Sequence, residues 1–187
     1  MISKKMLLLK KMNYNLITYL KNDNDKSISG LISGNIQEFE DENIINIKQY
    51  LFIACHKLTR VNLPKCITVG RAAFFSCRAL ENLNLPKCIE LGYQAFGWCE
   101  SLKSIELPEC RTISSRAFEY CTALTSVILR SPTVCGLEDS NIFSSNTPIA
   151  TGTGYIYVPD ALVNDYKKAT NWSVYANQIK PLSEYTQ

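Results

Sequence analysis

The stretch "SCRALENLNLPKCIELGYQAFGWC", Ser76 to Cys99, places cysteines at positions 77, 88 and 99. Such spacing admits three readings: metal ligands, disulfides or structural thiols. The flanking residues decide among them. Aligned on Cys55, Cys77, Cys99 and Cys121, the chain repeats with a strict 22-residue period. Leu58, Leu80, Leu102 and Leu124 share one column, Val61, Leu83, Ile105 and Val127 the next, and Leu63, Leu85, Leu107 and Leu129 a third. Pro64, Pro86 and Pro108 follow, and two residues after each comes Cys66, Cys88 or Cys110. Val69, Leu91 and Ile113 form a further apolar column, and the pairs Ala73-Phe74, Ala95-Phe96 and Ala117-Phe118 close the unit.

The parts of this unit have different local periods. Val61-Asn62-Leu63 alternates apolar and polar, the pattern of a short strand with one buried face. Proline has no N–H to extend a ladder, so the strand ends there. The second half, with Gly70 or Gly92 and the Ala-Phe pair, lacks that alternation and predicts a turn or a short helical piece on the opposite side. One coil cannot bury its own apolar top and bottom. The expected object is therefore a solenoid whose strands stack as a parallel sheet, like residue on like.

That stacking answers the question of the cysteines. Seven of the eight fall into the two inward columns 55/77/99/121 and 66/88/110, where a thiol packs as a small hydrophobe and its weak S–H can meet a carbonyl. The chain has no C-x-x-C and a single histidine, His56, so no metal site and no cofactor are expected. Stacked side chains run parallel rather than toward one another, so disulfides between neighbouring rungs are not expected either. Cys135 falls in the column of Val69 when counted at the same period.

Counting backward by 22 places Ile36, Phe39, Ile45, Ile47 and Phe52 in the apolar columns, so a degenerate capping repeat is expected over 33–54. Complete repeats follow over 55–76, 77–98 and 99–120, with a partial one over 121–135. Glu38, Glu40, Asp41 and Glu42 in the first coil read as solvated charge on a polar cap. The segment 136–153 is a loop by composition. Beyond it, "YIYVPDALVNDYKKATNW" predicts a strand over Tyr155–Val158, a helix start at Pro159-Asp160, and inward-facing Leu162, Tyr166 and Ala169. Trp172, Tyr175 and Ile179 should continue this cap against the last rung.

Before the array, residues 1–32 read as an amphipathic helix and linker, because Leu9, Met12, Leu16 and Tyr19/Leu20 recur at helical spacing. That helix is readable as one docked on the body, as a membrane-surface segment or as a drive for homo-oligomerisation. Met6 to Leu9 is shorter than a signal-peptide apolar region, so neither a signal peptide nor a cell-wall anchor is expected. No run approaches the length of a membrane span, so no membrane insertion is expected. The 187 residues carry 46% hydrophobic and 20% charged residues, near globular averages, so neither a disordered nor a membrane class is suggested. Net charge is only +3 with scattered Lys and Arg, which argues against a nucleic-acid partner.

These repeats resemble the BspA-like leucine-rich repeats of bacterial surface proteins. The resemblance rests on L-x-x-[IV]-x-L-P, here Leu58 to Leu63-Pro64, and on [IV]-x-x-x-A-F, here Val69 to Ala73-Phe74. It covers roughly Ser33 to Cys135, and Gly154 to Leu182 is similar to the tail that ends many such proteins in gut bacteria and their phages. The resemblance implies a right-handed leucine-rich-repeat solenoid and a role in adhesion or recognition rather than catalysis. It also implies a cell-surface, extracellular or virion location. Cysteine stands at 66, 88 and 110 where many relatives carry valine.

No catalytic set emerges. Adjacent Cys55 and His56 point to opposite faces, "TGTGY" near Thr151 lacks the later glycine and helix of a phosphate loop, and Asn171-Trp172-Ser173 is a glycosylation pattern with meaning only on a secretory route. Two surfaces are candidates for binding. Outward positions on the strands, Arg60 and Asn62, Asn82 and Asn84, Ser104 and Glu106, then Ser126 and Ile128, are expected to form one continuous stripe. It is readable as a recognition face or as ordinary solvated surface. The aromatic run Phe75, Trp98 and Tyr120, with Tyr93, is readable as a docking platform or as packing against neighbouring corners. The expected function is a non-enzymatic binding module for a protein or glycan on another surface. A structural or virion component, such as a phage tail or receptor-binding domain, is the alternative.

Overall fold

In a computed structural model of the chain, residues 36–144 and 146–186 are described. The amphipathic segment expected over 1–32 lies outside them. Each coil opens with a short strand: β1 (Glu38–Glu40), β3 (Arg60–Asn62), β5 (Asn82–Asn84), β7 (Ser104–Leu107) and β9 (Ser126–Leu129). All pairings are parallel and the register steps by one repeat: Glu38 faces Arg60, Arg60 faces Asn82, and Ser104 faces Ser126. Each Leu-Pro corner then turns the chain. Cys66 N–H bonds Leu63 O at 3.1 Å, and Cys88 with Leu85 and Cys110 with Leu107 repeat the closure.

In the second half of the coil the stretch with the Ala-Phe pair is the expected turn, but a strand that was not expected precedes it. This half contains no helix in the regular repeats but a second strand of two residues, giving β2 (Asn46–Ile47), β4 (Thr68–Val69), β6 (Glu90–Leu91), β8 (Thr112–Ile113) and β10 (Gly136–Leu137). These stack as a separate five-stranded parallel ladder. Two residues are too few to show a period, so the alternation signal is absent although the pairing is real. Gly70 marks the crowding that follows. A Cβ there would lie 2.7 Å from the backbone of Ile47 and Gln49 in the preceding coil. The chain then turns through two left-handed residues per coil, for example Ala72 and Ser76, then Gln94 and Trp98. Their N–H groups bond the next coil, as Ser76 N does Gly97 O at 2.7 Å and Trp98 N does Glu119 O at 2.7 Å. Those inter-coil bonds hold a conformation that L-residues otherwise avoid.

Inside, Phe52, Phe74, Phe96 and Phe118 stack almost parallel, with ring centroids 5.0, 5.3 and 5.9 Å apart. Phe39 tilts onto the first ring and Phe143 extends the column beyond the last. The leucine columns and both cysteine columns are buried beside them. Asp41 is buried too, accepting from Asn43 N at 2.7 Å and Ile44 N at 3.0 Å. It closes the corner that Leu and Pro make in later coils, rather than adding to a solvated acidic cap.

Two irregularities correct the expected stack. No strand pairing joins β5 to β7, so the coil-opening strands divide into the sheets β1-β3-β5 and β7-β9-β11-β12. Leu83 beside this seam is only partly buried, whereas Val61, Ile105 and Val127 of its column are buried. The last coil is also two residues longer: Gly136 faces Thr112 and Leu137 faces Ile113. Leu137 therefore occupies the column of Val69, and Cys135, counted into that column from sequence, instead puts its Sγ 3.8 Å from Cys110 Sγ.

The segment 136–153 is not simply a loop, since it holds β10 and a one-turn helix, α1 (Pro148–Thr151). Thr147 Oγ1 accepts from Ala150 N, and Gly152 at φ 87° stops the turn. After it, β11 (Tyr155–Val158) stacks on β9 and β12 (Ile179–Pro181) on β11, adding two rungs to the sheet. Between them a 3-10 turn over Asp160–Leu162 leads into α2 (Val163–Lys168). Tyr166, Trp172, Tyr175 and Ile179 are buried against the array, with Leu162 and Ala169 packed at its margin.

Candidate binding surface

Outward side chains of the first sheet are tied rung to rung. Arg60 pairs with Glu38 at 2.8 Å, and that carboxylate raises the guanidinium pKa further. Asn84 Nδ2 donates to Asn62 Oδ1 at 2.7 Å, and Asn62 Nδ2 donates to Glu40 Oε1 at 2.7 Å. Both amides donate toward the amino end, and Asn62 also accepts from Asn84, a chain that spans three strands. Asn82 is exposed beside it.

The seam separates these residues from Ser104, Glu106 and Ser126, so the stripe is two adjacent panels rather than one continuous ladder. In the second panel Glu106 accepts from Arg130 Nε. Ile128, expected on the surface, is only 1% exposed. Its row neighbours are Glu106, held by Arg130, and Tyr157, whose ring lies 4.9 Å from that of Tyr185. An apolar side chain between such tall neighbours is removed from water even on an outward face.

Trp98 and Tyr120 stack on each other across one rung, with centroids 4.2 Å apart. Arg78 Cζ lies 5.7 Å from the Trp98 centroid, and Arg71 covers Tyr93 at 4.5 Å. Phe75 lies under Gly97, where an added Cβ would come within 2.9 Å of its ring. The aromatic run therefore spends much of its ring area on its own neighbours, although Tyr120 remains 37% exposed.

The thiols form two hydrogen-bonded files. Cys77, Cys99 and Cys121 donate to the carbonyls of Phe52, Phe74 and Phe96 at 3.0, 3.3 and 3.0 Å. Cys66, Cys88 and Cys110 donate to Thr68, Glu90 and Thr112 at 3.4 to 3.5 Å. All eight cysteines are free and buried. Burial pushes the Cys66 thiol up to about 11 and Cys121 up to about 12, and drives Cys88 and Cys99 upward as well. Cys77 is raised first by its contact with Cys55, which that same contact lowers. His56 is exposed and its Nδ1 lies 3.0 Å from Ser76 O, so the ring is engaged by backbone. Among the described residues no group of three or more His, Cys, Asp or Glu could hold a metal ion.

One feature escaped the reading from sequence. Tyr155 and Tyr157 alternate with the buried Ile156 and Val158, so both rings point outward on β11. In the sheet they continue the rows of Ser126 and Ile128. Lys180 Nζ lies over the Tyr155 ring at 4.2 Å. The Y-I-Y-V alternation carried this information, but a strand regarded as a cap draws attention only to its inward side.

A parallel-stranded solenoid with leucine columns inside and polar rows outside defines a leucine-rich-repeat protein. The model of the BspA type leucine-rich repeat region matches residues 32–150 in six copies, and the chain belongs to that family. Its fold is similar to that of a leucine-rich repeat protein from Bacteroides ovatus ATCC 8483, at TM-score 0.53 and 20% identity over 79% of this chain and 36% of that one. It is also similar to the leucine-rich repeat protein of T. pallidum, at TM-score 0.50 and 25% identity over 62% of this chain and 51% of that one. The chain thus spans about a third and about half of the length of these two proteins. No curated protein matches it significantly.

Proposed function

We propose that this protein is a non-enzymatic recognition module whose outward strand face docks on a protein or a glycan carried by another surface. Leucine-rich-repeat families supply protein-interaction scaffolds, and such scaffolds are typically not enzymes. The observation that carries the reading is the Asn84–Asn62–Glu40 chain. Side chains locked to one another lose little further freedom when a partner arrives, so a face built this way is pre-organised for binding. The thiols favour structural packing over reactivity, because all eight are buried, burial raises Cys66, Cys88, Cys99 and Cys121, and six of them donate to carbonyls. A cell-surface or extracellular setting, and adhesion in particular, fit a rigid face of this kind. A structural or virion role through residues 1–32 rests on residues outside those described and draws no support from the fold.

The test is a binding screen of the full chain against protein and glycan arrays, run beside two variants. Asn62→Arg with Asn82→Arg alters the strand face, and Trp98→Ala with Tyr120→Ala alters the corner. Binding lost only in the first variant supports the strand face. Binding lost only in the second moves the site to the corner and overturns the proposal.

A further inference from the structure

The carboxyl-terminal end of the strand face has a shape and chemistry that its amino-terminal end lacks. One row across the sheet reads Ser104, Ser126, Tyr155, and the next reads Glu106, Ile128, Tyr157, Lys180. Two of the shortest side chains thus lie beside one of the tallest. Parallel strands sit about 4.8 Å apart, so the two serines give a floor about two spacings wide, or about 10 Å, with Tyr155 as its wall.

The wall is braced. Lys180 Nζ lies over the Tyr155 ring, and Lys180 in turn pairs with Glu184 at 3.3 Å. The Tyr157 ring meets Tyr155 edge-on at 6.3 Å and is itself backed by Tyr185 at 4.9 Å. Lys180 belongs to β12 on one side of β11, and Ser126, the register partner of Tyr155, belongs to β9 on the other. In the Trp98–Tyr120 pair, by contrast, the two rings spend a face on each other.

Charge narrows the occupant. Both charged side chains in these two rows are already paired, Glu106 with Arg130 and Lys180 with Glu184. An ionic partner would have to break an existing pair. A neutral ligand with one apolar face and a rim of hydroxyls matches all three elements: the aromatic wall, the serine floor and the acceptor oxygens of Glu106. We propose that this notch binds a neutral sugar ring, stacked on Tyr155 and hydrogen-bonded by Ser104, Ser126 and Glu106. The proposal deepens the recognition reading above and rests on it, naming the ligand class at one end of the same face.

The experiment is a chemical-shift titration of the full chain with methyl glucoside, methyl galactoside and N-acetylglucosamine, and with short neutral oligosaccharides of each. The expected result is saturable binding of at least one of them. Tyr155→Ala should weaken it at least tenfold, and Ser104→Tyr, at an exposed position, should block it by filling the floor. Asn62→Arg, at the other end of the face, should leave it unchanged. Thermal melting of each variant verifies that the fold is retained, and if Tyr155→Ala melts early the Ser104→Tyr result decides. No saturable binding by the wild-type chain, or equal binding by Ser104→Tyr, overturns the proposal. A protein partner lost on Tyr155→Ala with no sugar bound also overturns the ligand class, while leaving the recognition reading standing. Sugar bound at the notch with no partner dependent on Asn62 supports the ligand class and confines recognition to the carboxyl-terminal end of the face.

Discussion

The indole Nε1 of Trp172 donates to the carbonyl of Cys135 at 2.6 Å, while the hydroxyl of Tyr166 accepts from the N–H of the same residue at 2.9 Å. The cap thereby satisfies both backbone groups of the residue at which the last coil runs long and its regular pairing slips. Trp172 is itself buried, and its ring meets Tyr166 edge-on at 5.2 Å. Replacing Trp172 with Phe keeps most of the apolar contact but leaves the Cys135 carbonyl unpaired, which should cost about 1–3 kcal/mol. Trp172→Ala adds a cavity and should cost about 3–5 kcal/mol. Urea unfolding followed by circular dichroism measures both. Equal losses for the two variants would mean that the hydrogen bond, not the ring, is what the cap supplies.

Phe96 sits at the middle of the phenylalanine column, stacked on both Phe74 and Phe118. Phe96→Ala should destabilise the protein by about 3–5 kcal/mol. In a stack where each coil is covered by its neighbours, the damage should reach the coils on both sides. Hydrogen exchange should therefore rise at the amides of Phe74 and Phe118 together. A rise confined to the mutated coil would contradict a shared interior.

Gly70 follows β4 and Gly136 opens β10 in the same five-stranded ladder, and they differ in the space beside them. A Cβ at Gly70 would meet backbone atoms at 2.7 Å, whereas at Gly136 the nearest atom is Arg111 O at 3.5 Å. Backbone cannot yield as a flexible side chain can, so Gly70→Ala should cost about 1–3 kcal/mol. Gly136→Ala should fall within about 0.5 kcal/mol of wild type. Melting temperatures of the pair provide the comparison, and a harmless Gly70→Ala would show that the coils have room to separate.

The thiol files make stability depend on alkaline pH. Burial raises Cys66 from its ordinary 9.0 to about 11 and Cys121 to about 12. Below pH 9 these thiols are protonated in both folded and unfolded chains and contribute no pH dependence. Above it the unfolded chain loses protons that the folded one retains, so stability should fall from pH 9 toward pH 11–12. Melting temperature against pH measures the fall, and Cys66→Ala should make it shallower. A flat profile in that range would mean that the sulfurs are not held away from water.

Much of this architecture was legible before any coordinates. A column such as Leu58, Leu80, Leu102 and Leu124 repeats because stacked coils impose the same environment at the same depth, so period, strand register and the place of seven of the eight thiols followed from residue spacing. The two-residue strands β4, β6 and β8 were not legible, because so short a run shows no alternation and its pairing depends wholly on the neighbouring coil. The two-residue slip that carries Cys135 out of the Val69 column was equally hidden. Counting assumes equal coils, and the irregular segment after Leu129 offers no mark to count from.

The candidate surface divides in the same way. Outward positions on β3, β5 and β7 could be read from the alternation alone, and Arg60, Asn62, Asn82, Asn84, Ser104 and Glu106 do lie there. What covers an outward residue depends on strands distant in the chain. Ile128 is buried beside Tyr157, 29 positions on by register, and the Tyr155 wall becomes part of the face only when β11 pairs with β9. Repetition in the residues determined the coil, its interior and its direction of growth, because those are short-range requirements met identically at each rung. The seam between β5 and β7, the roof over Ile128 and the tyrosine wall arise where that repetition fails, and there only the packing of particular side chains in three dimensions decided the outcome.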